Sequence, residues 1–86
     1  MSINSDPEIQ QLVSEIIQLL NDKTRYEFDF DLDFLKDKYK QALNDPDVNL
    51  LTVNELYLDH NEEYLNNPIN DKITELDKVI HEKLVN

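Results

Sequence analysis

His60 and His81 are the only imidazoles in the chain, and there is no cysteine. Twenty-one residues separate them, so a zinc site would need carboxylates brought in from elsewhere. The segment Asp45-Pro46-Asp47-Val48-Asn49, followed by Glu55, has part of the spacing of a calcium loop. Such a loop takes oxygen ligands at its first, third and fifth positions, a glycine at the sixth and a glutamate at the twelfth. Here the sixth position is Leu50 and the glutamate comes one residue early. A turn between two helices, with Asp45 closing one and Thr52 capping the next, accounts for these residues without metal. Ser2, Ser5 and Ser14 form no nucleophile, base and acid pattern with the histidines. No enzymatic activity, metal or cofactor is therefore expected.

The remaining chemistry is that of carboxylates. In Tyr26-Glu-Phe-Asp-Phe-Asp-Leu-Asp-Phe34, five apolar residues alternate with the acids Glu27, Asp29, Asp31 and Asp33. As a strand this would set successive carboxylates about 6.6 Å apart on one face. No other segment has a two-residue period, so a strand would lack a partner within the chain. The expectation is an extended connector over 24–30, with Tyr26, Phe28 and Phe30 closing the end of the fold. Its acids form a secondary acidic strip.

Residues 41–71 contain no Lys or Arg. They carry Asp45, Asp47, Glu55, Asp59, Glu62, Glu63 and Asp71, with Tyr57 and Tyr64 between them. On a helix, Glu55, Asp59 and Glu62 or Glu63 share one face, where like charges repel by a few tenths of a kcal/mol. Tyrosine is favoured at interface centres because it is amphipathic and rigid. Asp45, Asp47, Glu55, Tyr57, Asp59, Glu62, Glu63 and Tyr64 are thus the expected partner-binding residues.

Nineteen acids against eight bases give a net charge of −11. Phosphate backbones and anionic lipid are repelled by such a chain, so the implied partner is a basic protein, not nucleic acid or membrane. Glycine is absent, which removes every glycine-dependent phosphate-cradling loop. No apolar run approaches the roughly 20 residues that span a bilayer. The opening Met-Ser-Ile-Asn-Ser-Asp lacks the basic and apolar regions of a signal peptide. A cytoplasmic protein is expected.

Helical elements must position these groups. At 86 residues a single all-α domain, a small four-helix bundle, is expected after a frayed stretch at 1–4. The first helix runs over 6–21, capped by Ser5 with Glu8 or by Asp6 with Pro7. It carries Ile9, Leu12, Val13, Ile16, Ile17 and Leu20 on one stripe. A second helix over 31–44, capped by Asp31 or Asp33, presents Leu32, Leu35, Tyr39, Ala42 and Leu43. A third, over 52–66, starts at the capping box Thr52 to Glu55. Val53, Leu56, Tyr57, His60 and Tyr64 lie on one of its faces. Asn67 and Pro68 open a fourth helix over 68–84, with Ile69, Ile73, Leu76, Ile80 and Leu84 in line. Short connections predict antiparallel neighbours.

In size, acidity and helix count the chain is similar to the immunity proteins of nuclease bacteriocins. It lacks the paired tyrosines of that family's characteristic loop, where only Pro46-Asp47 stands, so no residue role is carried over. The expected function is to bind and neutralise a basic protein, as immunity proteins, antitoxins and phage-encoded inhibitors do. The alternative is a structural or adaptor bundle that forms homodimers or larger oligomers, with charge serving solubility. Leu19, Leu58, Phe28 and Phe30 are its candidate contacts outside the core stripes.

Overall fold

A computed structural model describes residues 3–22, 32–60 and 68–85; the side chain of His60 is outside this description. Four helices follow a short 3-10 turn at Ile3–Ser5: α1 at Pro7–Asn21, α2 at Leu32–Asn44, α3 at Leu50–His60 and α4 at Pro68–Val85. The chain is all-α, a small four-helix bundle, and no strand occurs among the described residues. The connector expected at 24–30, with its aromatic plug, lies outside the described residues, as do 61–67 and the proposed Asn67 cap.

Between the two alternative starts of α1, Asp6 is the cap. Its carboxylate accepts from the backbone N–H of Glu8 at 2.9 Å and of Ile9 at 3.3 Å, and Pro7 follows at the first helical position. Two of the orphan donors of the first turn are thereby satisfied. Ile9, Leu12, Val13, Ile16 and Leu20 are buried along one stripe. In α2, Leu32, Leu35, Tyr39 and Ala42 do the same, and in α4, Ile69, Ile73, Leu76 and Ile80. Ile17, Leu19, Leu43 and Leu58 are half-buried and pack against this core. Removing one such side chain from water contributes about 1.5–3 kcal/mol.

Helix α1 packs on α2 and α4, and α3 packs on the same two. The ion pairs give directions. Lys83 at the end of α4 reaches Asp6 and Glu8 at the start of α1, while Lys72 near the start of α4 reaches Glu15 farther along α1. The two helices are antiparallel. Asn4, just before α1, bonds to the loop that follows α2, so α1 and α2 are antiparallel as well.

Several expectations are corrected. The chain start does not fray through residue 4: Ile3 and Asn4 lie in the 3-10 turn, and Asn4 is buried. Its side-chain amide donates to the carbonyls of Asp45 (3.0 Å) and Val48 (2.8 Å), which ties the N-terminal turn to the α2–α3 loop. Helix α3 begins at Leu50, not at 52. Asn49 caps it, its Oδ1 accepting from Leu51 (3.0 Å) and Thr52 (3.3 Å). Asn is a stronger cap than Thr, and the earlier start brings Leu50 into the core. Asp33 is inside the first turn of α2 and exposed, 4.0 Å from Lys36. It is not the cap; Asp31 lies outside the described residues. Phe34 is 46 % exposed, with the Lys38 ammonium 5.4 Å from its ring centre.

A polar seam crosses this apolar core. The Tyr39 hydroxyl donates to Asn54 Oδ1 at 2.6 Å, and Asn54 Nδ2 donates to Asp77 Oδ1 at 3.3 Å. Asp77 Oδ2 in turn lies 3.4 Å from His81 Nε2 at the surface of α4. Tyr39 and Asn54 are fully buried. Burial, with lesser contributions from Tyr57 and Asp77, pushes the Tyr39 phenol far up, so it remains a neutral donor. The seam links α2, α3 and α4 and fixes their relative rotation, because a buried polar group must find its partner. Tyr39→Phe is expected to cost about 1–3 kcal/mol, as the Asn54 oxygen loses its donor inside the protein. The pair Tyr39→Phe with Asn54→Leu should cost less than the sum of the single changes in urea unfolding. Additive costs would show that the hydrogen bond does not couple them.

Candidate functional site

The candidate surface is built from the loop after α2 and the outer side of α3. Asp45, Asp47, Glu55 and Asp59 are all exposed there. The loop is held from two sides. Asp45 Oδ1 accepts from the Asp47 backbone N–H at 2.9 Å, and Val48 N–H donates to Asp45 O at 3.3 Å. The Asn4 amide clamps the carbonyls of Asp45 and Val48 from below. Both loop acids therefore stand on a backbone with internal hydrogen bonds. Glu55 and Asp59 are one helical turn apart, about 6 Å along the axis.

The rotation of α3 decides which residues join them. Leu50, Val53, Asn54 and Tyr57 face the core. Thr52, Glu55, Leu56 and Asp59 form the opposite, exposed stripe at spacings of three, one and three. Two expectations fail on this point. Tyr57 is 0 % exposed and cannot be a partner contact; it is a core residue beside Tyr39. Leu56, expected in the core with it, is exposed between the two acids. Adjacent residues on a helix point about 100° apart, so both could not face inward equally. Glu62, Glu63 and Tyr64 lie outside the described residues, as do Glu27, Asp29 and Asp31 of the secondary strip. Asp33, the one described member of that strip, stands on α2 beside Lys36.

Charge pairing divides the surface. On α1 and α4, Lys83 lies 3.2 Å from Asp6 and 3.1 Å from Glu8. Lys72 lies 2.7 Å from Glu15 and 3.5 Å from Glu75. Among the described residues, no ion pair joins Asp45, Asp47, Glu55 or Asp59 to a base. Residues 41–71 contribute seven acids and no base, and so seven of the eleven net negative charges. Asp45, Asp47, Glu55 and Asp59 supply four of these seven. Among the described residues Asp37 on α2 and Asp71 and Glu82 on α4 also form no ion pair, but the stretch 45–60 carries its acids with no Lys or Arg of its own.

The paired acids respond as pairing requires. Partial desolvation pushes the Asp6 carboxyl up, but Lys83 and the amides of Ile9 and Glu8 outweigh it and leave it below its usual range. Hydrogen bonds from Lys72 and Gln11 hold the Glu15 carboxyl low. Groups lowered by folding contribute stability above their ordinary values, about pH 4, and lose it as pH falls through the folded values. Asp6→Asn with Glu15→Gln should therefore lower the melting temperature at neutral pH. The difference from wild type should shrink as pH falls through the lowered folded values and vanish once both carboxyls are protonated. A difference that persists then would assign the effect to packing. Asn still caps α1, which isolates the charge.

Among the described residues, no three His, Cys, Asp or Glu side chains come close enough to hold a metal ion. No helix among them is long and apolar enough to cross a membrane. The buried Asn54 seam and the Asn4 clamp are absent from the expected site. Asn54 had one signal, a polar residue at core spacing between Leu50 and Tyr57. Asn4 had none, because its partners are 41 and 44 residues away. Compared with models of protein families, with curated proteins and with solved structures, the chain matches none of them.

Proposed function

We propose that this protein binds a basic protein and neutralises it, through the face formed by Asp45, Asp47, Glu55 and Asp59. The observation that carries the reading is the uneven pairing of charge. Lysines of α4 hold the acids of α1, whereas the acids of α3 and its preceding loop form no ion pair with a described base and lie in a stretch with no Lys or Arg of its own. Repulsion among unpaired acids is a standing cost, and an approaching cationic surface offsets it. Such a face also speeds encounter with an oppositely charged partner. The reading includes no catalytic step and no cofactor, and places the protein in the cytoplasm.

Capture from the source cell tests it. A basic protein retained in stoichiometric amount at low salt and released near about 500 mM salt supports the reading, since screening at that ionic strength removes exposed attraction. Absence of any basic partner, with a stable dimer in sedimentation, would favour a self-associating adaptor instead. Leu84 and Val85 support that second reading, being 59 % and 85 % exposed at the end of α4. A charge of −11 on each copy opposes it.

A further inference from the structure

A groove of about 410 Å³ opens at the end of the bundle where the loop 45–49 meets α4. Ile3, Val48, Leu51, Ile80 and Leu84 supply its apolar walls, and Asp47 stands at its edge. Such a volume lies within the range of about 300–1,000 Å³ for pockets that take small ligands. Leu84 was expected in the core stripe, yet it faces this opening and is mostly exposed. The opposite wall is held in place, because the Asn4 amide bonds both Asp45 and Val48 carbonyls.

Among the residues that line the groove the one charged side chain is that of Asp47. Asp45 and Asp47 are exposed beside it. Helix α2 ends there too, at Asn44, and a helix C-terminus carries partial negative charge. Lys83, the neighbour of Leu84, is engaged by Asp6 and Glu8.

We infer that this groove seats an apolar side chain from a short basic segment of the partner, with flanking lysines or arginines set against Asp45 and Asp47. The inference rests on the proposed reading as a neutraliser of a basic protein and gives it an anchor. Exposed charge steers an encounter, but desolvated apolar anchors in pockets supply most of the affinity. The complementary chemistry is therefore amphipathic and cationic. A second copy of the chain would bring like charge to the rim. An anionic lipid or phosphate would meet the same repulsion.

Two synthetic peptides of equal positive charge test the inference against the whole chain labelled for amide NMR. One combines lysines with leucines, and the other has serine in place of each leucine. The leucine peptide should shift the amides of Val48, Leu51 and Leu84 and bind about ten-fold more tightly than the serine peptide. Leu84→Ser should bring it to the affinity of the serine peptide with the circular dichroism unchanged, since Leu84 is outside the core. Equal affinity of the two peptides overturns the inference. So does binding by neither, or shifts confined to Glu55 and Asp59. Shifts of the groove amides with protein concentration alone would identify a second copy as the occupant and also overturn it. Cell capture separates this inference from the broader reading. A basic partner retained by Leu84→Ser sinks the groove alone. A leucine peptide seated in the groove, with no basic partner captured from cells, sinks the neutraliser reading alone.

Discussion

Replacing Asp47, Glu55 and Asp59 together by lysine should abolish capture of a basic partner and leave helix content unchanged. Each substitution moves the charge by two, so the net charge goes from −11 to −5 and the face itself becomes cationic. All three side chains are exposed. The backbone N–H of Asp47, which donates to Asp45, is retained by any residue type. Inside α3 the change replaces one like-charged pair at i and i+4 by another, at a cost of a few tenths of a kcal/mol at most. The lower net charge relieves repulsion across the molecule. Encounter with the captured partner should slow by about 10- to 1,000-fold at low ionic strength. The difference should shrink as salt rises, because screening weakens the wild-type attraction. Association rates of wild type and variant across a salt series would show this. A variant that associates as fast as wild type at every salt concentration removes this face from the function.

Tyr57→Ala should act through the fold and not through the interface. The ring is completely buried, beside Tyr39 of α2, so its removal leaves a cavity and costs about 3–5 kcal/mol. A domain of this length has a total stability of about 4–13 kcal/mol. The variant should melt about 12–40 °C lower, at roughly 4–8 °C for each kcal/mol. Partner binding should fall only in step with the folded fraction and return on cooling or on addition of a stabilising osmolyte. Unchanged melting with lost binding would place Tyr57 at the interface after all. Together the two experiments would separate the sides of one helix: charge reversal outside is expected to change recognition, and truncation inside to change stability.

Periodicity determined most of the architecture. Ile9, Leu12, Val13, Ile16 and Leu20 could be read as one buried stripe because apolar residues recur every three or four positions with polar residues between them. The same pattern placed α2 and α4 within a residue or so of their observed starts and ends. Composition also determined that the charge is negative and that no base occurs over 41–71. These properties are local or additive, so a single chain read in order contains them.

The tertiary structure decided which side of α3 is which. Its sequence, Leu-Leu-Thr-Val-Asn-Glu-Leu-Tyr-Leu-Asp-His, has apolar residues over more than half of its circumference, with Leu56 and Tyr57 both within that arc. Local pattern therefore could not choose between Leu56 and Tyr57. Packing against α2 and α4 chose, and the bond from Tyr39 to Asn54 holds the chosen rotation. The choice moved Tyr57 from the expected binding face to the core and left Glu55, Leu56 and Asp59 outside. Pairing of charge was decided in the same way. Nothing near Glu15 in the chain announces that Lys72, far along in sequence, will neutralise it. The sequence by itself determined how much acid the protein carries. Only the packing of helices distant in the chain determined which acids are paired with a described base and which are not, because an ion pair depends on distance in space and not on separation along the chain.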